Sequence, residues 1–266
     1  MNMFILDNEA GIRLAFFFGI FLVMAAWELV APKRALTVSK PGRWAVNLSI
    51  TALNTLALRV LLPLQAVGLA LIARENGWGL LNLLPALEWQ AAAVSVIFLD
   101  LTIYFQHRFF HRIPLFWRLH KMHHVDLDID VTTGARFHPV EIMVSMLIKM
   151  AVVLLLGAPA AGVVAFEVLL NGTSMFNHSN VRMPEGADRL LRLFVVTPDM
   201  HRVHHSVVPR ETNSNFGFNM PWWDRLFGTY KPRPDDGHQG MTIGLPQYRD
   251  AARLTFPRLL AMPFMK

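Results

Sequence analysis

Eight of the eleven histidines fall into three short clusters. They are His107 and His111 in HRFFH, His120, His123 and His124 in HKMHH, and His201, His204 and His205 in HRVHH. Spacings of three and four residues stack side chains a turn apart on one helix face, where imidazoles can grip one or two ions. A lone HxxxH pair often arises by chance on a surface. Two HxxHH clusters and an HxxxH in one chain point to metal binding. The chain has no cysteine, which removes disulfides, thiolate zinc sites, iron–sulfur clusters and cysteine nucleophiles together.

Two further histidines join by position. His138 and His178 flank an apolar stretch, residues 140–177, and each is 20 residues from Ala158 in the Gly157-Ala158-Pro159 turn. Antiparallel helical arms would bring both rings out at the same depth. Ten histidines then converge on one layer, about five for each ion of a dinuclear site. His238 lies in a Pro/Asp/Gly-rich loop and reads as a bystander. Imidazole suits zinc, copper, iron and nickel alike. A hydrolytic zinc site needs only about three protein ligands, and the HExxH that would supply a base does not occur. Ten neutral imidazoles leave two ions strongly cationic, a setting suited to O2 chemistry at iron.

The elements that must position these rings are apolar. Of 266 residues, 53% are hydrophobic and 17% charged, against about 25% charged in soluble domains. A bilayer is part of the solvent, and a disordered chain is excluded. Four apolar regions stand out: 14–30, 44–73, 89–106 and 140–177. The second is interrupted by Arg59 and Pro63 and reads as one long, kinked or tilted span. The fourth is a full or re-entrant hairpin, each arm about 18 residues, near the lower limit for spanning. The expectation is an all-α integral membrane bundle of about four transmembrane helices with a cytosolic histidine-rich helical cap. Residues 1–88 form the N-terminal transmembrane region, 89–232 the catalytic domain and 233–266 a cytosolic tail. Neither a basic n-region nor a small-residue cleavage site precedes residues 14–30, which therefore read as an anchor helix.

Net charge is +6. No Lys/Arg stripe with interleaved aromatics suggests nucleic acid. Lys33, Arg34, Lys40 and Arg43 follow the first apolar region, and Arg108, Arg112, Arg118 and Lys121 follow the third. The positive-inside rule places both groups, and the histidine layer with them, on the cytoplasmic side.

In the order HRFFH, HKMHH, then a distant HRVHH, the chain resembles the membrane fatty acid hydroxylase/sterol desaturase superfamily, the histidine-box non-haem di-iron enzymes. Residues 197–230, TPDMHRVHHSVVPRETNSNFGFNMPWWDRLFGTY, look like those of bacterial sterol-desaturase-like proteins and the alkylglycerol monooxygenase branch. The resemblance covers about residues 90–232. It implies two iron ions, O2 as co-substrate, and hydroxylation or desaturation of a membrane-lipid C–H bond. A separate electron donor, ferredoxin- or cytochrome b5-like with its reductase, is implied as well. A metal transporter would hold its ligands near the bilayer midplane, and a bis-histidine haem protein leaves the HxxHH clusters unexplained.

Around the boxes, Asp100 lies two helical turns before His107 and could accept the second ring N–H of a ligand histidine. Asp199 could do the same for His201. Asn213, Asn215 and Asn219 are read as holding the loop after the third box. Trp222 and Trp223 suit an interfacial belt or a lid over a lipid tail. Lys149 and Glu167 are the only charges well inside residues 142–176, each nine residues from Ala158. They are expected to form an ion pair that sets the register of the two arms.

Overall fold

The computed structural model describes residues 2–85 and 87–265, which are helical without a strand. The short α1 (Asn2–Asp7) leads into α2 (Glu9–Val30), α3 (Lys40–Leu61), α4 (Ala66–Glu75), α5 (Glu88–Arg112) and α6 (Pro114–His124). A hairpin follows, α7 (Pro139–Leu156) and α8 (Ala160–His178). Proline stands in the first turn of α3, α6 and α7, where its missing N–H costs no hydrogen bond. Four stretches are long and apolar enough to cross a membrane: Glu9–Val30, Lys40–Asn82, Glu88–Arg112 and Pro139–Leu156. Exposed Phe16, Leu22, Val60 and Leu155 are surface that a bilayer would cover.

The second apolar region is two helices. α3 ends at Leu61, α4 starts at Ala66, and Pro63 between them cannot continue a helical ladder. The hairpin runs the length of α5. α7 has 18 residues, about 27 Å at 1.5 Å per residue, close to the apolar thickness of a bilayer. Its turn is held at Gly157 (φ +66°), where a Cβ would meet Asn82 Nδ2 and the Trp78 carbonyl at 2.7 Å. That turn therefore sits against the loop before α5, at the far end from the histidines.

α8 is the central helix, packed on α2, α4 and α5, whereas α7 packs on α3, α4 and α5. Helices α4 and α5 each touch both arms, so the arms diverge beyond their turn. Lys149 nonetheless reaches across to donate to Glu167, and Arg13 of α2 donates to the same carboxylate. The charge cluster is thus a triad joining three helices, extended by Arg13 to Glu9 at 2.8 Å.

Beyond the hairpin come α9 (Glu185–Leu191), α10 (Pro198–His204), α11 (Pro209–Thr212), α12 (Trp222–Leu226), α13 (Gly237–Gly240) and α14 (Phe256–Ala261). These short elements form the cap. The basic residues that follow α2 are engaged within the protein. Lys33 pairs with Asp199 at 2.6 Å, Lys40 with Glu28 at 3.3 Å, and Arg43 with Asp126 and Asp130 at 2.8 and 2.6 Å. Arg34 donates to the carbonyls of His238 and Met241. They serve as clamps, not as free positive charge. Arg43 and Asn47 hold the buried turn after the second box through Asp126, Asp130 and Thr132. Burial pushes the Asp126 carboxyl up, but Arg43 and Arg136 outweigh it and hold it below the usual carboxylate range.

Candidate metal centre

Nine histidines meet where α5, α6, α8 and α10 converge, and they divide into two groups. His107, His111, His120, His124 and His204 form one; His123, His178, His201 and His205 form the other. Within each group one nitrogen per ring lies within 4.8 Å of all the others. Helical spacing accounts for the division. In HRFFH both rings share one face of α5. In HKMHH, His120 and His124 lie four apart and face the first group, while His123 is turned toward the second. In HRVHH, His204 joins the first group and His201 and His205, four apart, the second.

The ring hydrogen bonds fix which nitrogen is free. The Nδ1–H donates to Phe216 O from His107 (2.8 Å), to Glu141 Oε1 from His120 (2.6 Å) and to Arg136 O from His123 (3.2 Å). It donates to Ser174 O from His178 and to Ser214 O from His204, both at 2.7 Å. A carbonyl or carboxylate can only accept, so Nδ1 carries the proton and Nε2 keeps its lone pair. Nε2 of His107, His120 and His204 is buried with no partner. His123 and His178 bring their Nε2 atoms to 3.1 Å, lone pair against lone pair. Buried polar atoms are normally satisfied, and a shared cation would satisfy these lone pairs together. Two cis ligands at about 2.1 Å from one ion stand about 3.0 Å apart, so the spacing fits a first-row metal. The residues present therefore suit two ions in all-imidazole surroundings.

Burial, reinforced by neighbouring imidazoles, pushes His123, His124, His201, His204 and His205 well below their usual pKa. Burial alone pushes His120 down to about 3. The rings are neutral at physiological pH, the form that binds metal. Phe137 stacks on His123 at 4.4 Å, and Phe218 lies 5.1 Å from His107 and 5.8 Å from His201. Both phenyl rings belong to the apolar core of the hairpin, so the nitrogen cage borders a dry, lipid-like interior.

Several residues stand elsewhere than their sequence positions suggest. His138 belongs to neither group: it caps α7, its Nδ1 accepting from Val140 N at 3.2 Å and its Nε2 meeting Leu260 O at 3.1 Å. Equal spacing from Ala158 fixes depth but not rotation about the helix axis, and the diverging arms carry this ring away. Asp100 touches no histidine. It accepts from the Asn219 and Met220 N–H groups at 3.3 and 3.2 Å and from Trp223 Nε1 at 2.8 Å. It therefore anchors the loop after the third box to α5. His107 faces that same loop, but its N–H is taken by the Phe216 carbonyl. Asp199 does not hold His201; it pairs with Lys33 and Arg202 and lies 3.8 Å from His238. His238 lies outside both groups.

The carboxylate that does orient a ring is Glu141, in the first turn of α7 and fully buried. Its place three residues after His138, as the last acid before the apolar arm, was the available signal. Trp223 is tied to Asp100, while Trp222 is 43% exposed and donates to Leu193 O. Asn215, at φ +51°, bridges Met200 O and Lys231. Asn219 joins Thr173 of α8. Asn213 bonds only Pro209 O nearby.

The family model described as Fatty acid hydroxylase matches residues 92–229, just over half of the chain. The chain is 31% identical over 160 residues to ornithine lipid hydroxylase OlsE of Rhizobium tropici, covering 58% of the chain and 47% of that protein. It is 28% identical over 177 residues to an alkylglycerol monooxygenase of Danio rerio, covering 65% of the chain and 38% of the relative. The human alkylglycerol monooxygenase is 26% identical over 155 residues, with 58% and 33% covered. The aligned part thus spans about half or less of these curated relatives. No solved structure matches the chain.

Proposed function

The chain belongs to the fatty acid hydroxylase family, and on that premise we propose that it is a membrane-bound non-haem di-iron oxidoreductase that uses O2 to oxidise a C–H bond of a membrane lipid. The observation that carries this reading is the pair of all-imidazole groups, five and four rings, with unpartnered Nε2 atoms aimed inward. Iron bound there would supply one-electron redox chemistry and O2 reduction. The relatives named for hydroxylating ornithine lipid and oxidising alkylglycerol support hydroxylation over desaturation.

The chain's own residues supply the setting. Carbonyls of residues 136, 174, 214 and 216 and the Glu141 carboxylate lock five rings in one tautomer and orientation. Phe137 and Phe218 exclude water on the side of the apolar core, which protects a reactive oxidant from side reactions. The centre stands on the cytoplasmic side, beside the basic residues Arg112, Arg118 and Lys121, and electrons come from a separate ferredoxin- or cytochrome b5-like donor.

Metal analysis of the purified chain should give about two iron per chain and no Soret band. Lipid profiling of cells with and without the gene, grown under ¹⁸O2, should reveal one lipid class that gains labelled oxygen. A haem spectrum, or an unchanged lipid profile in iron-loaded cells, would refute the proposal.

A further inference from the structure

Beside the five-histidine group lies an open cleft of about 480 Å³, with His111 in its wall. That volume is in the range of small-molecule sites. His111 is the one histidine of the nine that is only partly buried, so this cleft meets the edge of the metal centre. Four separate stretches build it: the end of α5, α6, the segment after the third box, and residues 245–248.

The lining is cationic without a counter-charge. Arg118 and Lys121 stand one turn apart on α6, and no acidic side chain lines the cleft. Lys121 is half-buried, yet its ammonium touches only the Tyr248 hydroxyl, at 3.4 Å, and lies 5.8 Å from that ring's centroid. Among the described residues neither cation pairs with a carboxylate. By contrast, Lys33 and Arg43 on the segment after α2 are each held by an aspartate. A half-buried ammonium without an anion is a standing cost, and an incoming anion would relieve it.

The remaining walls suit an amphiphile. Trp117 offers an apolar face and Asn213 a neutral amide. The helix that carries the cations begins with exposed Ile113 and Leu115, side chains that place its start in the apolar edge of the bilayer. A lipid could thus keep its chains in the membrane while its headgroup enters beside Arg118 and Lys121.

We propose that this cleft binds the anionic headgroup of the substrate lipid, a carboxylate or phosphate, and holds it against the His111 side of the metal centre. The inference rests on the lipid-oxidation reading, but its test does not need turnover. The full chain in nanodiscs is incubated with short-chain phosphatidylglycerol, with the matching diacylglycerol, or with inorganic phosphate, and bound ligand is counted by native mass spectrometry. Wild type should retain phosphatidylglycerol. Arg118→Gln/Lys121→Gln should bind it about 10- to 100-fold more weakly, as expected on losing charge-assisted hydrogen bonds. Diacylglycerol retention and metal content should not change.

Equal phosphatidylglycerol retention in both proteins would overturn the proposal. Inorganic phosphate binding as tightly as the lipid would overturn it too, by making the cleft a free-anion site. Full lipid retention with slowed reduction by an acidic ferredoxin would give the surface to an electron donor instead. Failure of the oxidation reading would show as absent label transfer with lipid retention intact, so the two failures are separable.

Discussion

Glu141 and His120 are joined at 2.6 Å, the carboxylate at the start of α7 accepting the Nδ1–H of a ring on α6. The bond fixes the tautomer that turns Nε2 inward and raises the basicity of the ring. Removing such a partner typically weakens metal affinity or activity about 10- to 100-fold. Glu141→Ala should show that loss in iron titrations, and Glu141→Gln, which keeps an accepting carbonyl, should lose less. Unchanged affinity in both variants would return Glu141 to a packing role.

The two histidines that flank the hairpin should behave differently. His178→Ala removes a ring of the four-histidine group and should lower iron content and abolish turnover. His138→Ala removes an N-cap, a loss of about 1 kcal/mol, and should keep both ions. Iron lost equally from the two would restore His138 to the ligand set.

Glu167 serves two cations, which makes its neighbours unequal. Glu167→Gln strands Lys149, leaves Arg13 only its pair with Glu9, and should destabilise by about 3–5 kcal/mol, the usual penalty for breaking a buried ion pair. Lys149→Met leaves the Arg13 pair standing and should cost about 1.5–3 kcal/mol, the worth of one hydrogen bond to a charged group. Thermal unfolding in detergent would rank them. A larger loss for Lys149→Met would contradict the triad.

Acid should unfold the metal-free protein as its buried histidines take up protons. The folded state keeps His120 neutral down to about 3 and holds His123, His124, His201, His204 and His205 well below 6.5. The unfolded chain protonates the same rings near 6.5, so it binds more protons throughout that window. Stability is therefore full above pH 6.5 and falls as pH drops, by at most about 1.4 kcal/mol per pH unit for each ring. Melting curves between pH 7.5 and 5.5 should show a steep decline that bound metal delays. A flat profile would mean that the rings are open to water.

Asp100 ties α5 to the loop carrying Phe216 and Phe218. Asp100→Asn would set an amide N–H against one of its three donors, so the loop should loosen. Hydrogen exchange across residues 216–223 should quicken, with iron content falling less than in Glu141→Ala. Protection equal to wild type would remove this anchoring role.

The three boxes, their helical spacing and the apolar regions are local features, and local physics reads them from the chain alone. A spacing of three or four puts rings on one helix face wherever the helix goes, and a long apolar run needs a bilayer whatever its neighbours. That is why the all-α membrane bundle and the eight box histidines were legible in the order of residues. Lys149 and Glu167 were legible as a pair because counting from one turn fixes depth. Counting does not fix rotation or the distance between arms. Only the packing of α4 and α5 between the arms decided that His178 faces the cage while His138 caps its own helix. The same packing gave the orienting role to Glu141 on a neighbouring helix and left Asp100 to the loop. Hydropathy cannot distinguish a basic residue facing headgroups from one such as Arg43, whose aspartate partners lie more than 80 residues away. A hydrogen bond between distant segments is set by where their helices cross, and that crossing exists only in the folded chain.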